Sequence, residues 1–130
     1  MSQANLMGWI LIALIIIAFL GWFIWQYLRI RRSAKFISNS QFQELMHNGQ
    51  IIDVRSSTTF QRSHILGARN FQLQQFKDSL SALRKDKPVL LYDNFRGQSV
   101  GKVSLILKKA GFTEVYILEG GFENWDGKTK

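Results

Sequence analysis

The chain has 130 residues, and its 17 Lys/Arg against 9 Asp/Glu give it a formal net charge of +8. This length is sufficient for one small domain and one additional segment. Because the chain has no cysteine, thiolate chemistry, disulfide bonds and cysteine-ligated zinc or iron–sulfur sites are excluded.

A tail at 1–5 leads into an apolar stretch at 6–28, which contains no charged residue. A helix of about 20 apolar residues crosses the hydrocarbon core of a bilayer, and this stretch exceeds that length. Trp9 lies near one end of it, and Trp22, Trp25 and Tyr27 lie near the other. Aromatic rings are enriched at the two membrane interfaces. The pattern therefore predicts a transmembrane helix at 6–28.

A cleaved signal peptide is the main alternative for this segment. Signal peptides combine a basic start, a shorter apolar run and small residues at the cleavage site. Here no charge precedes the apolar run, and Trp25-Gln26-Tyr27-Leu28 stands where small residues would be needed. The sequence therefore favours an uncleaved membrane anchor.

Four basic residues follow the apolar stretch directly: Arg29, Arg31, Arg32 and Lys35. Basic flanks favour the cytoplasmic side of a membrane, so we expect a single-pass protein with its N-terminus outside and its C-terminal domain in the cytoplasm. The same charges would attract anionic lipid headgroups. Their position beside a membrane argues against nucleic acid as a partner.

A basic juxtamembrane linker is predicted at 29–39, and a globular domain at 40–130. The first domain helix is expected to be capped by Ser40, with Gln43 in the capping-box position and Gly49 as its stop. The other predicted elements are a strand at 51–54, a helical turn at 58–63, an extended piece at 69–71, a helix at 74–84, a strand at 89–92, a helix at 99–110, a strand at 115–118 and a helical turn around Trp125.

Alternating strands and helices predict an α/β fold, with a mostly parallel sheet flanked by helices on both faces. Ligand sites in such folds lie beyond the carboxyl ends of the strands. Asp93 follows the predicted strand at 89–92. Its loop is therefore where a site is expected. Asp53 and Arg55 could pair with each other or cap neighbouring turns.

Several segments together resemble a single rhodanese domain. They are Asp53-Val54-Arg55, the run from His64 to Asn70, the strand–loop–helix at 89–99, Ala110-Gly111-Phe112, the run from Val115 to Phe122, and Trp125. The resemblance covers nearly all of 36–130 in the expected order. It implies a rhodanese-like fold, and together with the segment at 6–28 it suggests a membrane-anchored single-domain type found in bacteria.

The resemblance also implies that Asp93 stands where an active rhodanese carries its persulfide-forming cysteine. Gln98 takes the position where an arginine often precedes the serine that matches Ser99, and Arg96 replaces the first loop glycine, while Gly97 follows one place later. A carboxylate cannot form a persulfide. Sulfur transfer and cysteine-dependent phosphatase chemistry are therefore excluded, and we expect no cofactor and no metal.

Three interpretations of Asp93 stay open. The residue could mark simple loss of activity. Its carboxylate could fill the loop by accepting hydrogen bonds from loop N–H groups. It could also be a phosphoryl-accepting nucleophile, a chemistry that usually needs a metal and further carboxylates, with Asp53 as the nearest candidate.

The remaining loop residues Asn94, Phe95 and Arg96 suggest a contact surface, because an aromatic beside an arginine is typical of interaction hot spots. The alternative is that Phe95 packs back onto the domain and Arg96 pairs with Asp93. For His64, Asp53 and Arg55 we expect structural roles. The sequence thus predicts a membrane-tethered, non-catalytic protein-interaction or regulatory module, with a small-anion sensor and an Asp93-dependent enzyme as alternatives.

Overall fold

The computed structural model describes residues 2–95 and 97–130, and of residues 29–33 and 98 it describes the backbone alone. Arg96 therefore lies outside the described residues, as do the side chains of Arg29, Arg31, Arg32 and Gln98. The elements are α1 (Gln3–Ser33), β1 (Lys35–Ile37), α2 (Asn39–Met46), β2 (Gln50–Asp53), α3 (Ser57–Arg62), β3 (Arg69–Asn70), α4 (Phe76–Ser79), β4 (Val89–Tyr92), α5 (Gln98–Lys109) and β5 (Val115–Leu118), with 3-10 turns at Leu73–Gln75, Leu80–Ala82 and Phe122–Asn124.

The five strands form one sheet in the order β1-β5-β4-β2-β3, and every pair of neighbours is parallel. The predicted α/β fold with a parallel sheet is confirmed. The central strand β4 reads Val-Leu-Leu-Tyr, and all four residues are buried. A strand covered on both faces needs such a continuous apolar run.

Side chains of β4 alternate between two hydrophobic clusters, one on each face of the sheet. Leu91 packs with Val103 and Leu107 of α5 and with Phe76 of α4. On the other face, Leu90 and Tyr92 pack with Phe42 of α2, Ile65 and Leu118. Helices therefore cover both faces, as the sequence predicts.

The helix α1 extends beyond the predicted span at both ends. Its segment Gln3–Leu28 has a mean hydropathy of 2.6, and none of its most apolar window is buried. Large side chains along it stay exposed, for example Trp9 and Ile15. The core helix of a soluble protein buries such side chains. The segment is therefore a candidate transmembrane helix.

The segment at 29–39, predicted to be a linker, instead contains the end of α1, the strand β1 and the start of α2. The helix α1 continues to Ser33, and only the buried residue Ala34 separates it from β1. Phe36 and Ile37 of β1 then pair with Ile117 and Leu118 of β5. Apolar residues within the basic stretch thus add an edge strand to the sheet, and Lys35 lies exposed at its start.

The helix α2 begins two residues earlier than predicted. Ser38, not Ser40, is the cap: its hydroxyl accepts the N–H of Gln41, and the Gln41 side chain accepts the N–H of Ser38. Both serines precede a glutamine by three residues, so the pattern alone is ambiguous. Ser38 is selected because it directly follows β1 in an extended conformation.

The continuous helix predicted at 74–84 is also wrong, because the structure contains one α-helical turn, Phe76–Ser79, between two 3-10 turns. The hydroxyl of Ser79 donates to the carbonyl of Gln75 at 3.0 Å. Serine bonded back to the preceding turn bends helices. Phe76 is nevertheless fully buried, which explains the apolar spacing.

Candidate functional site: the loop between β4 and α5

The loop after β4 lies beyond the carboxyl ends of the parallel strands. Asp93 follows Tyr92 directly, and α5 begins at Gln98 with Gly97 as its N-cap. Among the described residues no side chain caps this helix. The interpretation in which the Asp93 carboxylate accepts loop N–H groups depends on its own contacts within the loop.

The Asp93 carboxylate turns back into its own loop. Its Oδ1 accepts the backbone N–H of Asn94 at 2.7 Å. Its Oδ2 would clash with a Cβ added at Gly97, and Asp93 Cγ would be 2.8 Å from that Cβ. The carboxylate therefore fills space inside the loop, and Gly97 leaves room for it.

The 3-10 turn Phe122–Asn124, here called the closing turn, holds the loop from the other side. The N–H of Phe122 donates to the Asp93 carbonyl and the N–H of Glu123 to the Asn94 carbonyl, both at 2.8 Å. Gly121 has φ +66°, and a Cβ there would lie 2.6 Å from the Asn94 carbonyl oxygen. A glycine is required by this close approach as well as by the backbone conformation.

Beneath the loop lies a buried ion pair between Asp53 and Arg55. Arg55 Nη2 is 2.7 Å from Asp53 Oδ2, and both side chains are almost completely buried. Arg55 Nη1 also donates to Asn94 Oδ1 at 3.0 Å, and Nη2 donates to the Ser63 carbonyl at 2.7 Å. The pairing considered from the sequence is present. Its link to Asn94, which ties the end of β2 to the loop, was not predicted.

Two aromatic rings complete the surroundings of Arg55. Its guanidinium carbon lies 4.4 Å from the ring centroid of Phe122 and 5.5 Å from that of Tyr92. Burial opposes the charged guanidinium, but the hydrogen bond and charge of Asp53 outweigh it and raise the pKa of Arg55. Burial, with a hydrogen bond to Asp53, also raises the pKa of Tyr92 above its ordinary value.

A polar cavity of about 310 Å³ opens beside Asp93. Its lining includes Arg55, Ser56, Thr59, Gln72, Asn94 and Ser99. Each of the three guanidinium nitrogens of Arg55 already donates to a protein acceptor. The Asp93 carboxylate faces the same space, so the charge in this cavity disfavours a small anion.

The structure gives no support to a metal at this loop. Within residues 2–95 and 97–130, no three His, Asp or Glu side chains are grouped so that they could hold a metal ion. Asp53, considered from the sequence as a second carboxylate, has both oxygens bonded to Arg55. A phosphoryl-accepting aspartate would lack the ligands that such chemistry usually uses.

Phe95 projects outward from the loop. Half of its surface is exposed, although its backbone is held close to Gly121. The other half of the side chain is covered where Phe95 borders a groove with Gly97 and Val100, so Phe95 contacts the domain and is also accessible to a partner. The pair between Arg96 and Asp93, considered from the sequence, lies outside the described residues.

The other residues singled out from the sequence have structural positions. His64 Nδ1 is 2.8 Å from the Phe60 carbonyl, and the two rings stack 3.8 Å apart. Trp125 packs edge-on against Phe42 at 5.5 Å. His47 is the C-cap of α2. The structural role expected for His64 agrees with these contacts.

Comparison with known proteins supports the family resemblance. Residues 38–128 match the sequence model of the rhodanese-like domain family. The chain is 39% identical over 120 residues to the uncharacterized protein YqhL of Bacillus subtilis, a match that covers 92% of this chain and 94% of YqhL. It is 37% identical over 92 residues to the thiosulfate sulfurtransferase GlpE of Ectopseudomonas mendocina, covering 70% of this chain and 84% of GlpE.

Solved structures give the same result for the fold. A structure described as rhodanese with anions, from E. coli, aligns with a TM-score of 0.56 and 30% identity. The alignment covers 63% of this chain and 96% of that structure. The match to YqhL covers 92% of this chain, whereas the family model matches residues 38–128. The similarity to YqhL therefore extends into the N-terminal helix α1.

Proposed function

The chain belongs to the rhodanese-like domain family, and we propose that it acts as a membrane-tethered, non-catalytic protein-interaction module. The helix α1 anchors it in the bacterial cell membrane as a single span, with the N-terminus outside and the domain in the cytoplasm. The loop between β4 and α5 is its contact surface. One observation carries this proposal: the Asp93 carboxylate turns into its own loop and accepts the Asn94 N–H, while half of the neighbouring Phe95 side chain is exposed.

Sulfur transfer is the activity named for relatives such as GlpE, and it needs a sulfur nucleophile. None of the 130 residues is a cysteine, and a carboxylate oxygen does not form a persulfide. The loop retains its family position between β4 and α5, but a carboxylate now lies within it and borders the cavity beside it. Binding through the outer side of the loop is therefore the function that this geometry favours.

Phe95 is suited to a protein contact because its position is held by the fold. The carbonyls of Asp93 and Asn94, immediately before it, accept N–H groups of the closing turn. The side chain of Asn94 is bonded to the buried Arg55. An exposed aromatic side chain on an ordered backbone loses little freedom on binding, which favours affinity.

The close junction between α1 and the sheet supports an uncleaved anchor. Cleavage near the end of α1 would remove residues adjoining Ala34, which is buried against the main hydrophobic cluster. A tether of this kind confines the domain to partners in the same membrane and raises its effective concentration there.

A small-anion sensor is the second candidate, because the E. coli structure described with anions shares the fold. The Asp93 carboxylate lining the cavity argues against it. Thermal unfolding with a panel of small anions tests it directly. Stabilisation that persists at physiological salt would favour the sensor, and no shift would favour the contact module. The third candidate is an enzyme that uses Asp93 as a phosphoryl-accepting nucleophile. Against it, we expect that an acyl phosphate with Mg²⁺ does not label Asp93.

The contact module is tested by photo-crosslinking in intact cells. A photoreactive residue replaces Phe95 in one variant and the exposed Lys128 in the control. We expect one dominant membrane-associated protein to be captured from position 95 and not from position 128. Equal and scattered labelling from both positions would contradict the proposal.

A further inference from the structure

A groove of about 640 Å³ runs between α1 and α5, and the loop residues Phe95 and Gly97 close one end of it. Its volume lies within the range of sites that bind small molecules, about 300–1,000 Å³. It is separate from the polar cavity beside Asp93, which lies on the Ser99 and Arg55 side of the loop. The groove shares only Phe95 and Gly97 with the loop already described, and its other lining residues belong to α1, β1, α5 and the end of β5.

One wall of the groove belongs to the candidate transmembrane segment. Trp22, Phe23, Gln26 and Tyr27 line it, and their spacing places them on one face of α1. Trp22 and Phe23 remain more than half exposed. The apolar segment Gln3–Leu28 includes all four, so this wall lies in the last turns of the span, where acyl chains meet headgroups.

The opposite wall is formed by the first half of α5. Val100 and Leu105 contribute apolar surface, and Lys102 contributes a positive charge on an exposed side chain. Phe36 of β1 adds an aromatic ring, and Glu119 lies at the end of β5. The sequence adjoining this site, from Arg29 to Lys35, adds four basic residues. The lining is largely apolar and carries one charge of each sign, from Lys102 and Glu119, so the excess of positive charge comes from the adjoining basic sequence.

We propose that this groove binds a phospholipid with an anionic headgroup from the cytoplasmic leaflet. The acyl chain lies between Trp22 and Leu105, and the headgroup lies beside Lys102, whose aliphatic stem covers apolar surface while its ammonium group reaches the headgroup. The inference rests on the membrane anchoring proposed above, because α1 then opens the groove sideways into the bilayer. An anionic headgroup fits the basic charge of the chain near the membrane.

A lipid in this position would connect the bilayer to the contact loop. Phe95 lines the end of the groove, and its backbone neighbour Asn94 is bonded to Arg55. The acyl chain would fill the space between α1 and α5. It would thereby fix the orientation of the domain relative to α1. The orientation of Phe95 relative to the membrane would then depend on an anionic lipid.

The test uses the full chain reconstituted in vesicles of phosphatidylcholine, with a trace of phospholipid carrying a photoreactive diazirine in its acyl chain. The headgroup of the photoreactive lipid is phosphatidylglycerol in one sample and phosphatidylcholine in the other. Labelled residues are mapped by mass spectrometry. We expect labelling on α5 around Leu105, about fivefold stronger for phosphatidylglycerol, as one lysine near an anionic surface would provide.

Two variants and one control sharpen the result. Lys102→Gln should reduce the preference for phosphatidylglycerol in labelling around Leu105, whereas Lys108→Gln, on the same helix but outside the groove, should keep it in full. Leu105→Trp should abolish α5 labelling for both headgroups by filling the groove, while labelling along α1 persists. That retained labelling shows that the anchor is still in the bilayer.

The outcomes separate this inference from the proposed anchoring. Labelling of α1 without labelling of α5 would overturn the lipid site and leave the anchor in place. Labelling of neither helix, with release of the protein by alkaline washing, would overturn both. A diazirine residue placed at Leu105 that captures a second copy of the chain instead of lipid would also overturn the lipid site.

Discussion

The Asp93 carboxylate lies against Gly97: Asp93 Oδ2 is too close to accommodate a Cβ at position 97 without moving. Gly97 has φ −79°, so its backbone does not require glycine. The requirement comes from the neighbouring carboxylate alone. An aspartate and a glycine four residues apart are therefore coupled within this loop, and the coupling can be measured.

The first prediction concerns Gly97→Ala. The added methyl group overlaps Asp93, and overpacking of this kind lowers the free energy of unfolding by about 1–3 kcal/mol. In an Asp93→Ser background the overlap disappears and most of this loss should vanish. Alanine is also a poorer N-cap than glycine, but that effect occurs in both backgrounds and cancels in a double-mutant cycle.

Thermal unfolding of the full chain in detergent, followed by near-ultraviolet circular dichroism, provides the measurement. Additive effects of the two substitutions would contradict the coupling. Asp93→Ser alone should be neutral or destabilising, since it removes the hydrogen bond from the Asn94 N–H. If Asp93→Ser makes the domain more stable, the carboxylate does not stabilise the loop from within.

The second prediction concerns the closing turn. Gly121→Ala places a methyl group 2.6 Å from the Asn94 carbonyl oxygen, at a φ of +66°. Gly67 also has a positive φ, +91°, but the nearest atom to an added Cβ there is 3.8 Å away. Gly67→Ala therefore reports the backbone strain, about 1 kcal/mol. We expect Gly121→Ala to lower the melting temperature more than Gly67→Ala does, because it adds a steric clash to the backbone strain.

Gly121→Ala should also disturb the contact surface, because the Asn94 backbone supports Phe95. Capture of a partner from a photoreactive residue at position 95 should fall in this variant and persist in Gly67→Ala. Equal melting temperatures for the two variants would show that the loop shifts freely and that the fold does not hold Phe95 in place.

The third prediction concerns the buried pair beneath the loop. Asp53→Ala leaves the Arg55 guanidinium buried without its carboxylate, and loss of one partner of a buried pair destabilises a protein by about 3–5 kcal/mol. The exposed pair Arg84–Asp86 is the control, with both side chains more than 60% exposed. Asp86→Ala should leave the melting temperature nearly unchanged. Equal effects of the two substitutions would contradict a structural role for Asp53.

Much of the fold follows from local sequence signals. The strands β4 and β5 were predicted with the observed bounds because short apolar runs bounded by turn residues leave few alternatives. The same reasoning failed for Lys35–Ile37, since three residues within a basic stretch form a strand only through pairing with β5. In the helix predicted at 74–84, Ser79 bonds back to the Gln75 carbonyl, a contact that bends helices and that the apolar spacing does not reveal.

The position of the site could be predicted from the sequence. Apart from the pair between Asp53 and Arg55, its side-chain contacts could not. The place of Asp93 follows from the strand that precedes it, and the family resemblance identifies the missing cysteine. The bond from Arg55 to Asn94 joins residues 39 positions apart, so no local pattern indicates it. The contact between Asp93 and Gly97 depends on the side-chain rotamer, and the groove depends on the angle between α1 and α5.

The last prediction concerns stability at high pH. Burial, together with the bond to Asp53, raises the pKa of Tyr92 above that of an unfolded chain, which is about 10. Below pH 10 the phenol is protonated in both states, and its contribution to stability is fully present. Above pH 10 the unfolded chain releases a proton that the folded chain keeps, so stability falls by up to about 1.4 kcal/mol per pH unit.

Tyr92→Phe separates this effect from the titration of lysines. The variant loses the acceptor for the Ile65 N–H, bonded at 3.1 Å in the native protein, so at pH 8 it should be less stable by about 1–3 kcal/mol. Its stability should then fall less steeply between pH 10 and 11.5, because no phenol titrates at position 92. The measurement is the free energy of unfolding of both proteins across this pH range. The difference between them should shrink as the pH rises. Parallel curves would mean that the Tyr92 hydroxyl ionises in the folded protein as readily as in water.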